Sequence, residues 1–261
     1  MPFARVRLST GPELHYAVQG TGAPVVFLHG WPDSWFTYSR VLPLLPPDLR
    51  AFTPDQRGFG DSERPANGYA ITDFAADVLA FMDAMSLTRA SIVGHSFGSF
   101  VARAVAIAEP ERVERLVLIG TGISKGNAVI DEVRAAMVEL RDPVSEDFAR
   151  EFQASTAYVP LPEEFFDRIV AESLKLPARL WRAVLDSVAA YDDLSQLERI
   201  TSPTHLLWGD QDALFPRRHQ HRVLASIAGA TFTVYEETGH CPNWERPELV
   251  ADDLARLLRA Q

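Results

Sequence analysis

The chain has 261 residues, of which 47% are hydrophobic and 23% are charged. This length and composition suit one large α/β core with one sizeable insertion. A net charge of −10 argues against the basic surface that a sequence-independent nucleic-acid-binding protein needs, and it disfavours an anionic membrane as a partner.

Short apolar segments alternate with amphipathic segments in two parts of the chain, before residue 121 and after residue 194. Nearly continuous apolar runs that alternate with helices are typical of parallel strands covered on both faces. The sequence therefore predicts an α/β fold with a mostly parallel eight-stranded sheet flanked by helices. The expected strands are 4–8 and 14–20, paired as a hairpin, then 24–28, 51–54, 90–94, 113–120, 205–208 and 230–235; the expected helices are 34–45, 72–85, 97–109, 216–227 and 247–258.

The alternation stops between residues 122 and 194, where only helical segments are recognisable. Apolar residues recur there at helical spacing, and Pro162 and Pro177 stand where first helical turns are expected. We expect residues 122–194 to form a helical cap, inserted into a core domain made of residues 1–121 and 195–261. Most of the apolar side chains of the cap should pack against the sheet. A few are candidates for contact with substrate, namely Tyr158, Trp181 and Tyr191.

Residues 94–98, with the sequence GHSFG, connect an expected strand to an expected helix. A serine between two glycines at such a junction is typical of a nucleophile elbow, which holds the serine in a strained conformation at the C-terminal edge of the sheet. Ser96 is therefore the candidate nucleophile. Residues 122–126, GISKG, have the same spacing. Ser124, however, stands several residues beyond its strand, so we interpret it as part of the entry to the cap.

The loops after the last two expected strands supply a candidate acid and a candidate base. Asp210 and Asp212 both follow the strand at 205–208, and either could orient an imidazole. We favour Asp212 and expect Asp210 to be a turn residue that makes local backbone hydrogen bonds. His240 follows the last strand, and histidine titrates near neutrality, so it can act first as a general base and then as a general acid.

Residues 29–32, HGWP, directly follow the strand at 24–28. Acyl transfer develops negative charge on the carbonyl oxygen, and backbone N–H groups directed at that charge lower the barrier. The backbone N–H groups of Trp31 and Phe97 are the candidates for this oxyanion hole. His29 is expected to brace the loop rather than transfer a proton, and a cis Trp31–Pro32 bond is plausible.

The chain order serine, aspartate, histidine, each after a strand, resembles that of the α/β-hydrolase superfamily. The resemblance covers essentially the whole chain outside the cap and includes residues 55–62, DQRGFGDS. The HGWP loop is most similar to that of epoxide hydrolases and haloalkane dehalogenases. Those enzymes use an aspartate nucleophile, whereas residue 96 is serine. Serine attack on an alkyl carbon would give an ether that this machinery could not hydrolyse, so the resemblance implies the fold and the cap but not epoxide or halide chemistry.

A serine nucleophile with an oxyanion hole points to attack on a carbonyl group. We expect hydrolysis of a carboxylic ester or lactone of a small to medium, largely apolar substrate, with no metal or organic cofactor. The alternatives are a carbon–carbon bond hydrolase, a cofactor-free perhydrolase or haloperoxidase-like enzyme, a hydroxynitrile lyase, and a small-molecule receptor with residual hydrolase activity. The sequence does not indicate an oligomeric state.

Cys241 is the only cysteine, so no disulfide can form within the chain, and we expect it to be a small packing residue. The amino terminus lacks an apolar run behind a basic start. No segment approaches the roughly 18 consecutive apolar residues that a membrane span requires. We therefore expect a cytoplasmic protein with neither nucleic acid nor membrane as a partner.

Overall fold

The computed structural model of the protein describes residues 1–259. Within that range the eight strands are β1 (Phe3–Arg7), β2 (Glu13–Gln19), β3 (Ala23–Leu28), β4 (Leu49–Pro54), β5 (Ala90–His95), β6 (Val113–Ile119), β7 (Thr204–Gly209) and β8 (Thr231–Tyr235). They form one sheet in the order β1-β2-β4-β3-β5-β6-β7-β8. β2 pairs antiparallel with β1 and β4, and all pairs from β4 to β8 are parallel. The predicted fold class is confirmed.

Helices cover both faces of this sheet. The nine α-helices of residues 1–259 are α1 (Ile71–Ala84), α2 (Phe97–Ala108), α3 (Ala128–Ala136), α4 (Glu146–Ala154), α5 (Glu163–Ser173), α6 (Ala178–Ala190), α7 (Arg217–Ser226), α8 (Pro242–Glu245) and α9 (Pro247–Arg259). None of these described helices combines the length and apolarity needed to cross a bilayer.

Successive residues of the central strands face opposite layers of the core. In β3, Val26 and Leu28 pack in the hydrophobic cluster that contains residues of α1 and α2. Val25 and Phe27 pack in the cluster that contains residues of α9. All four side chains are at most 1% exposed, and burying each one contributes about 1.5–3 kcal/mol. Because both faces are buried, these strands appear in the sequence as continuous apolar runs.

The helix expected at 34–45 is a wrong prediction. The chain there forms two short 3-10 helices, Trp35–Tyr38 and Leu42–Leu44. The first is capped by Ser34, whose hydroxyl accepts a hydrogen bond from the N–H of Phe36. Pro43 has no N–H to donate to a continuing α-helix, and its ring would clash with the preceding turn. One long helix therefore cannot form.

The segment between β6 and β7 contains the four helices α3 to α6 and, within its described residues, no strand. These helices pack over the end of β3. The ring of Trp31, three residues beyond β3, lies 5.0 Å from that of Phe152 in α4 and 5.3 Å from that of Trp181 in α6. The helices therefore lie above the edge of the sheet where the candidate site residues are expected, although the division into core and cap domains stays a prediction.

Candidate active site

Ser96 stands at the bend between β5 and α2. Its backbone has φ 51° and ψ −119°, a strained conformation for a residue with a side chain. The flanking glycines are required by space. A Cβ on Gly94 would lie 2.4 Å from the carbonyl oxygen of Gly98, and a Cβ on Gly98 would lie 2.2 Å from that of Leu28. The local geometry is that expected of a nucleophile elbow.

Three loops at the C-terminal ends of parallel strands bring Ser96, His240 and Asp212 together. His240 Nε2 lies 2.7 Å from Ser96 Oγ, and His240 Nδ1 lies 2.9 Å from Asp212 Oδ2. A carboxylate only accepts hydrogen bonds, so the imidazole proton is on Nδ1 and Nε2 is free to accept the hydroxyl proton of Ser96. Both His240 and Asp212 are buried, which shields this hydrogen-bonded chain from competing water.

The loop after β7 fixes the carboxylate of Asp212 rather than that of Asp210. Asp212 Oδ1 accepts hydrogen bonds from the backbone N–H groups of Leu214 and Phe215, both at 2.9 Å, which turns Oδ2 toward the imidazole. Asp210 lies at the turn, and its carboxylate accepts a long hydrogen bond of 3.4 Å from the N–H of Thr238. The structure therefore brings Asp212, and not Asp210, to His240.

The loop that carries His240 is tied to the segment after α4. The N–H of His240 donates to the carbonyl oxygen of Thr156 at 2.9 Å. The carboxylate of Glu245 accepts hydrogen bonds from the N–H groups of Gly239, Tyr158 and Val159 at 2.9–3.0 Å. These hydrogen bonds join the loop that carries His240 to the segment after α4. The position of His240 therefore depends on the loop and on that segment.

The two candidate oxyanion donors flank Ser96. Trp31 and Phe97 both line the cavity that contains the serine, and neither backbone N–H has a hydrogen-bond partner within residues 1–259. Phe97 opens α2, so its N–H also lies at the positive end of the helix dipole. The Trp31–Pro32 bond is cis, as considered from the sequence.

His29 braces the HGWP loop. Its Nε2 accepts a hydrogen bond from the N–H of Gln56 at 3.0 Å, and its Nδ1 donates to the carbonyl oxygen of Gly30 at 2.7 Å. Burial lowers the pKa of His29, so the ring stays neutral in this role. Both nitrogens are engaged with the backbone, which leaves neither free for proton transfer.

The cavity above Ser96 is small and has a largely apolar wall. Its volume is about 40 Å³, enough for only a few waters. The apolar part of the wall includes Phe100, Ile130, Val133, Phe152, Leu185, Val188, Leu214, Phe215 and Trp244.

The three aromatic residues expected to contact substrate are not among the described residues of this wall. Trp181 is fully buried behind it, with its ring 5.6 Å from that of Phe152. Tyr158 has more than half of its surface exposed to solvent, and the ring of Tyr191 packs edge-on against that of Phe100. Their contact with substrate stays a prediction that needs rearrangement of this wall.

Sequence reasoning missed the polar residues of the same wall, of which Asp33 and Gln153 are the most informative. Asp33 is buried, and its Oδ1 accepts a hydrogen bond from Gln153 Nε2 at 3.0 Å. Burial raises the pKa of Asp33 to about 7, against the lowering effect of Gln153 and Thr37. Asp33 directly follows the HGWP motif, and this position could have identified it as a candidate site residue. Gln153 lies within α4, and no sequence motif identified it as a candidate.

The environments of Cys241 and Ser124 indicate structural rather than catalytic roles. Cys241 is buried, and burial raises the pKa of its thiol well above the ordinary value, so the thiol stays protonated and is a poor nucleophile. Ser124 donates a hydrogen bond to the carbonyl oxygen of Tyr191 at 3.2 Å. Ser124 does not appear on the described cavity wall, and its position at the entry to a cap stays a prediction.

One group of potential metal ligands lies outside the cavity. Atoms of His15, Asp55 and Asp61 lie within 4.8 Å of one another. Asp55 already accepts hydrogen bonds from the N–H groups of Trp35 and Asp61, and its Oδ2 lies 2.8 Å from His15 Nδ1. Asp61 pairs with Lys175. The ligand atoms are thus engaged with protein groups.

Comparison with known proteins agrees with this fold. The sequence model of the family described as "alpha/beta hydrolase fold" matches residues 23–247. The chain is 27% identical to a soluble epoxide hydrolase from Corynebacterium sp. (strain C12), over 93% of this chain and 92% of that protein. It is 30% identical to a non-heme chloroperoxidase from Streptomyces lividans, over 98% and 99% of the two chains. A thermophilic esterase from Thermogutta terrifontis superposes with a TM-score of 0.86 at 25% identity, covering 98% of each chain.

Proposed function

The chain belongs to the α/β-hydrolase fold family, and we propose that it hydrolyses a carboxylic ester or lactone through an acyl-enzyme on Ser96. The observation that carries the proposal is the 2.7 Å contact between Ser96 Oγ and His240 Nε2. A hydroxyl is a weak nucleophile until an adjacent base takes its proton, and this contact places the base within hydrogen-bond reach.

The first half of the reaction forms the acyl-enzyme. His240 Nε2 accepts the proton of Ser96 Oγ as the oxygen attacks the carbonyl carbon. The backbone N–H groups of Trp31 and Phe97 donate hydrogen bonds to the oxyanion that develops. His240 then gives its proton to the leaving alcohol, while the carboxylate of Asp212 stabilises the charged imidazole.

The second half releases the acid. His240, neutral again, takes a proton from a water molecule, whose oxygen attacks the acyl carbon. Collapse of the second tetrahedral intermediate returns the proton to Ser96. Every step uses groups of this chain and water, so the proposal includes no metal or organic cofactor.

The wall of the cavity supports an apolar substrate of modest size. Ile130 and Val133 from α3, together with Leu185 and Val188 from α6, face the same space as Ser96. Burial of apolar groups against such a wall is favourable. We propose that this part of the cavity takes the hydrocarbon portion of the ester.

A second candidate activity is cofactor-free perhydrolysis, in which hydrogen peroxide replaces water at the acyl-enzyme. The similarity to a non-heme chloroperoxidase is the reason to consider this activity. Assays of the purified protein with acetate and an oxidisable halide, with and without peroxide, separate the two activities. Halogenation that requires both peroxide and Ser96 would establish the second activity. Ester hydrolysis with no halogenation would leave only the first activity.

The proposed function is tested with Ser96→Ala and with Ser124→Ala as the matched control. Both serines lie in a G-x-S-x-G sequence, but Ser124 donates to a backbone carbonyl instead of contacting a histidine. On p-nitrophenyl esters of graded chain length and on simple lactones, Ser96→Ala should lower kcat by a factor on the order of 10⁴ or more. Ser124→Ala should keep most activity. A fluorophosphonate should label Ser96 in the wild type, and unchanged turnover by Ser96→Ala would refute the proposal.

A further inference from the structure

The cavity has a polar end that the proposed reaction does not use. We define it by Asp33, His95 and Gln153, which all line the cavity. The three residues are buried. They come from different parts of the chain: the HGWP loop, the end of β5, and α4. A carboxyl, an imidazole and an amide in one buried wall demand hydrogen-bond partners.

His95 offers a buried acceptor that has no partner. Its Nε2 lies 3.2 Å from the backbone oxygen of His240. A carbonyl oxygen can only accept, so Nε2 carries the ring proton and Nδ1 carries a lone pair. Burial lowers the pKa of His95 well below its ordinary value, so the ring stays neutral. Nδ1 has no hydrogen-bond partner within residues 1–259.

Asp33 offers a second acceptor that is weakly used. Its Oδ1 accepts a hydrogen bond from Gln153 Nε2 at 3.0 Å, but among residues 1–259 Oδ2 has only the hydroxyl of Thr37 at 3.4 Å. That hydroxyl also accepts a hydrogen bond of 2.7 Å from the indole N–H of Trp244. Asp33 Oδ2 therefore has capacity for a closer donor.

The two acceptors both lie close to Gly30, beside the serine. A Cβ on Gly30 would stand 3.0 Å from His95 Nδ1, 3.2 Å from Asp33 Oδ2 and 3.2 Å from Ser96 Cβ. Any other residue would intrude between these atoms. The absence of a side chain at Gly30 thus keeps both acceptors next to the carbon that bears the candidate nucleophile.

We infer that the polar end of the cavity binds a hydroxyl group of the substrate, which makes the preferred substrate a hydroxyl-bearing ester or lactone with an otherwise apolar skeleton. This inference rests on the proposed function, because it assigns the substrate class of the same site. A hydroxyl group has one proton, which it can donate to Asp33 Oδ2 or to the lone pair of His95 Nδ1. A carboxylate on the substrate has no proton to donate to either acceptor.

Binding to Ser96→Ala tests the inference without turnover. Isothermal titration would compare ethyl butyrate with ethyl 3-hydroxybutyrate and 2-hydroxyethyl butyrate, which carry a hydroxyl on the acyl and on the alcohol side, respectively. At least one hydroxyl ester should bind about tenfold more tightly than ethyl butyrate, as expected for a hydrogen bond to a charged or buried acceptor. Equal affinity for all three esters would mean that water satisfies these acceptors, and it would overturn the inference.

Variants of Asp33 in the Ser96→Ala background connect any preference to the polar end. Asp33→Leu and Asp33→Ala each remove both carboxyl oxygens and leave no polar side-chain atom at residue 33. Both should reduce the preference to less than about threefold. If Asp33→Leu does not fold, Asp33→Ala decides.

Asp192→Asn is the control, because this exposed carboxylate pairs with Lys125 outside the cavity, and it should leave the preference unchanged. A preference that survives Asp33→Leu or Asp33→Ala would overturn the inference. Failure of the wild type to hydrolyse any ester would refute the proposed function, whereas the binding comparison would still decide the hydroxyl site.

Discussion

Substitution of Asp33 by asparagine should stabilise the protein in alkaline solution, because a buried carboxyl with a raised pKa costs stability when it ionises. The pKa of this group rises from 3.8 to about 7 on folding. Between those values the folded state keeps the proton and the unfolded state releases it, so stability falls as the pH rises through that window. Above about pH 7 both states are ionised and the cost is constant. Below about pH 4 both are protonated and the cost vanishes.

The size of this effect follows from the two pKa values. One pKa unit corresponds to about 1.4 kcal/mol, so the shift corresponds to about 4 kcal/mol in total. Between pH 5 and pH 8 the wild type should lose about 2.5 kcal/mol through Asp33. Asparagine has the same size, can keep the hydrogen bond from Gln153 and does not titrate.

Urea unfolding of both proteins at pH 5 and pH 8 measures the effect. The free energy of unfolding of Asp33→Asn relative to wild type should increase by about 2.5 kcal/mol between the two pH values. Groups remote from Asp33 titrate equally in both proteins and cancel. Asp192→Asn is the control: pairing with Lys125 lowers the pKa of that exposed carboxyl, so it stays ionised throughout the range. A difference between wild type and Asp33→Asn that is the same at both pH values would refute the reasoning.

Three further predictions concern the elbow, the acid and the thiol. Gly98→Ala should abolish activity and lower stability by about 2 kcal/mol or more in urea unfolding, since its Cβ would stand 2.2 Å from a backbone oxygen of β3; a fully active variant would contradict the elbow. Asp212→Asn should lower kcat about 10³–10⁴-fold while Asp210→Asn keeps most activity, and equal losses would contradict the choice between them. Cys241 should resist iodoacetamide at pH 8 in the folded protein and react after unfolding, as burial raises its pKa; mass spectrometry of the native protein that finds rapid alkylation would contradict its burial.

The sequence was sufficient for the sheet and for the three residues that meet at its edge. Continuous apolar runs report burial on both faces, as in β3 and β6. Parallel strands end at one edge of the sheet, so residues just beyond β5, β7 and β8 must approach one another. This rule explains why Ser96, Asp212 and His240, each predicted from its own motif, meet there. The choice of Asp212 over Asp210 depended on the interpretation of Asp210 as a turn residue.

The wall of the cavity could not be predicted in the same way. Asp33 and Gln153 meet although 120 residues separate them, and no periodicity encodes such a contact. Trp181 and Phe152 both lie on apolar helix faces, so helical spacing alone cannot distinguish the residue behind the wall from the one that lines it. Pro43 could have predicted the break in the helix expected at 34–45. Proline has no N–H to donate within a helix, and this disfavours a continuous helix in spite of the amphipathic pattern.

The most direct test of the central claim is a rapid-quench experiment with a p-nitrophenyl ester, followed by mass spectrometry of the digested protein. The wild type should carry the acyl group on the peptide that contains Ser96, formed at least as fast as kcat. Turnover without any acyl group on Ser96 would contradict nucleophilic catalysis by this serine.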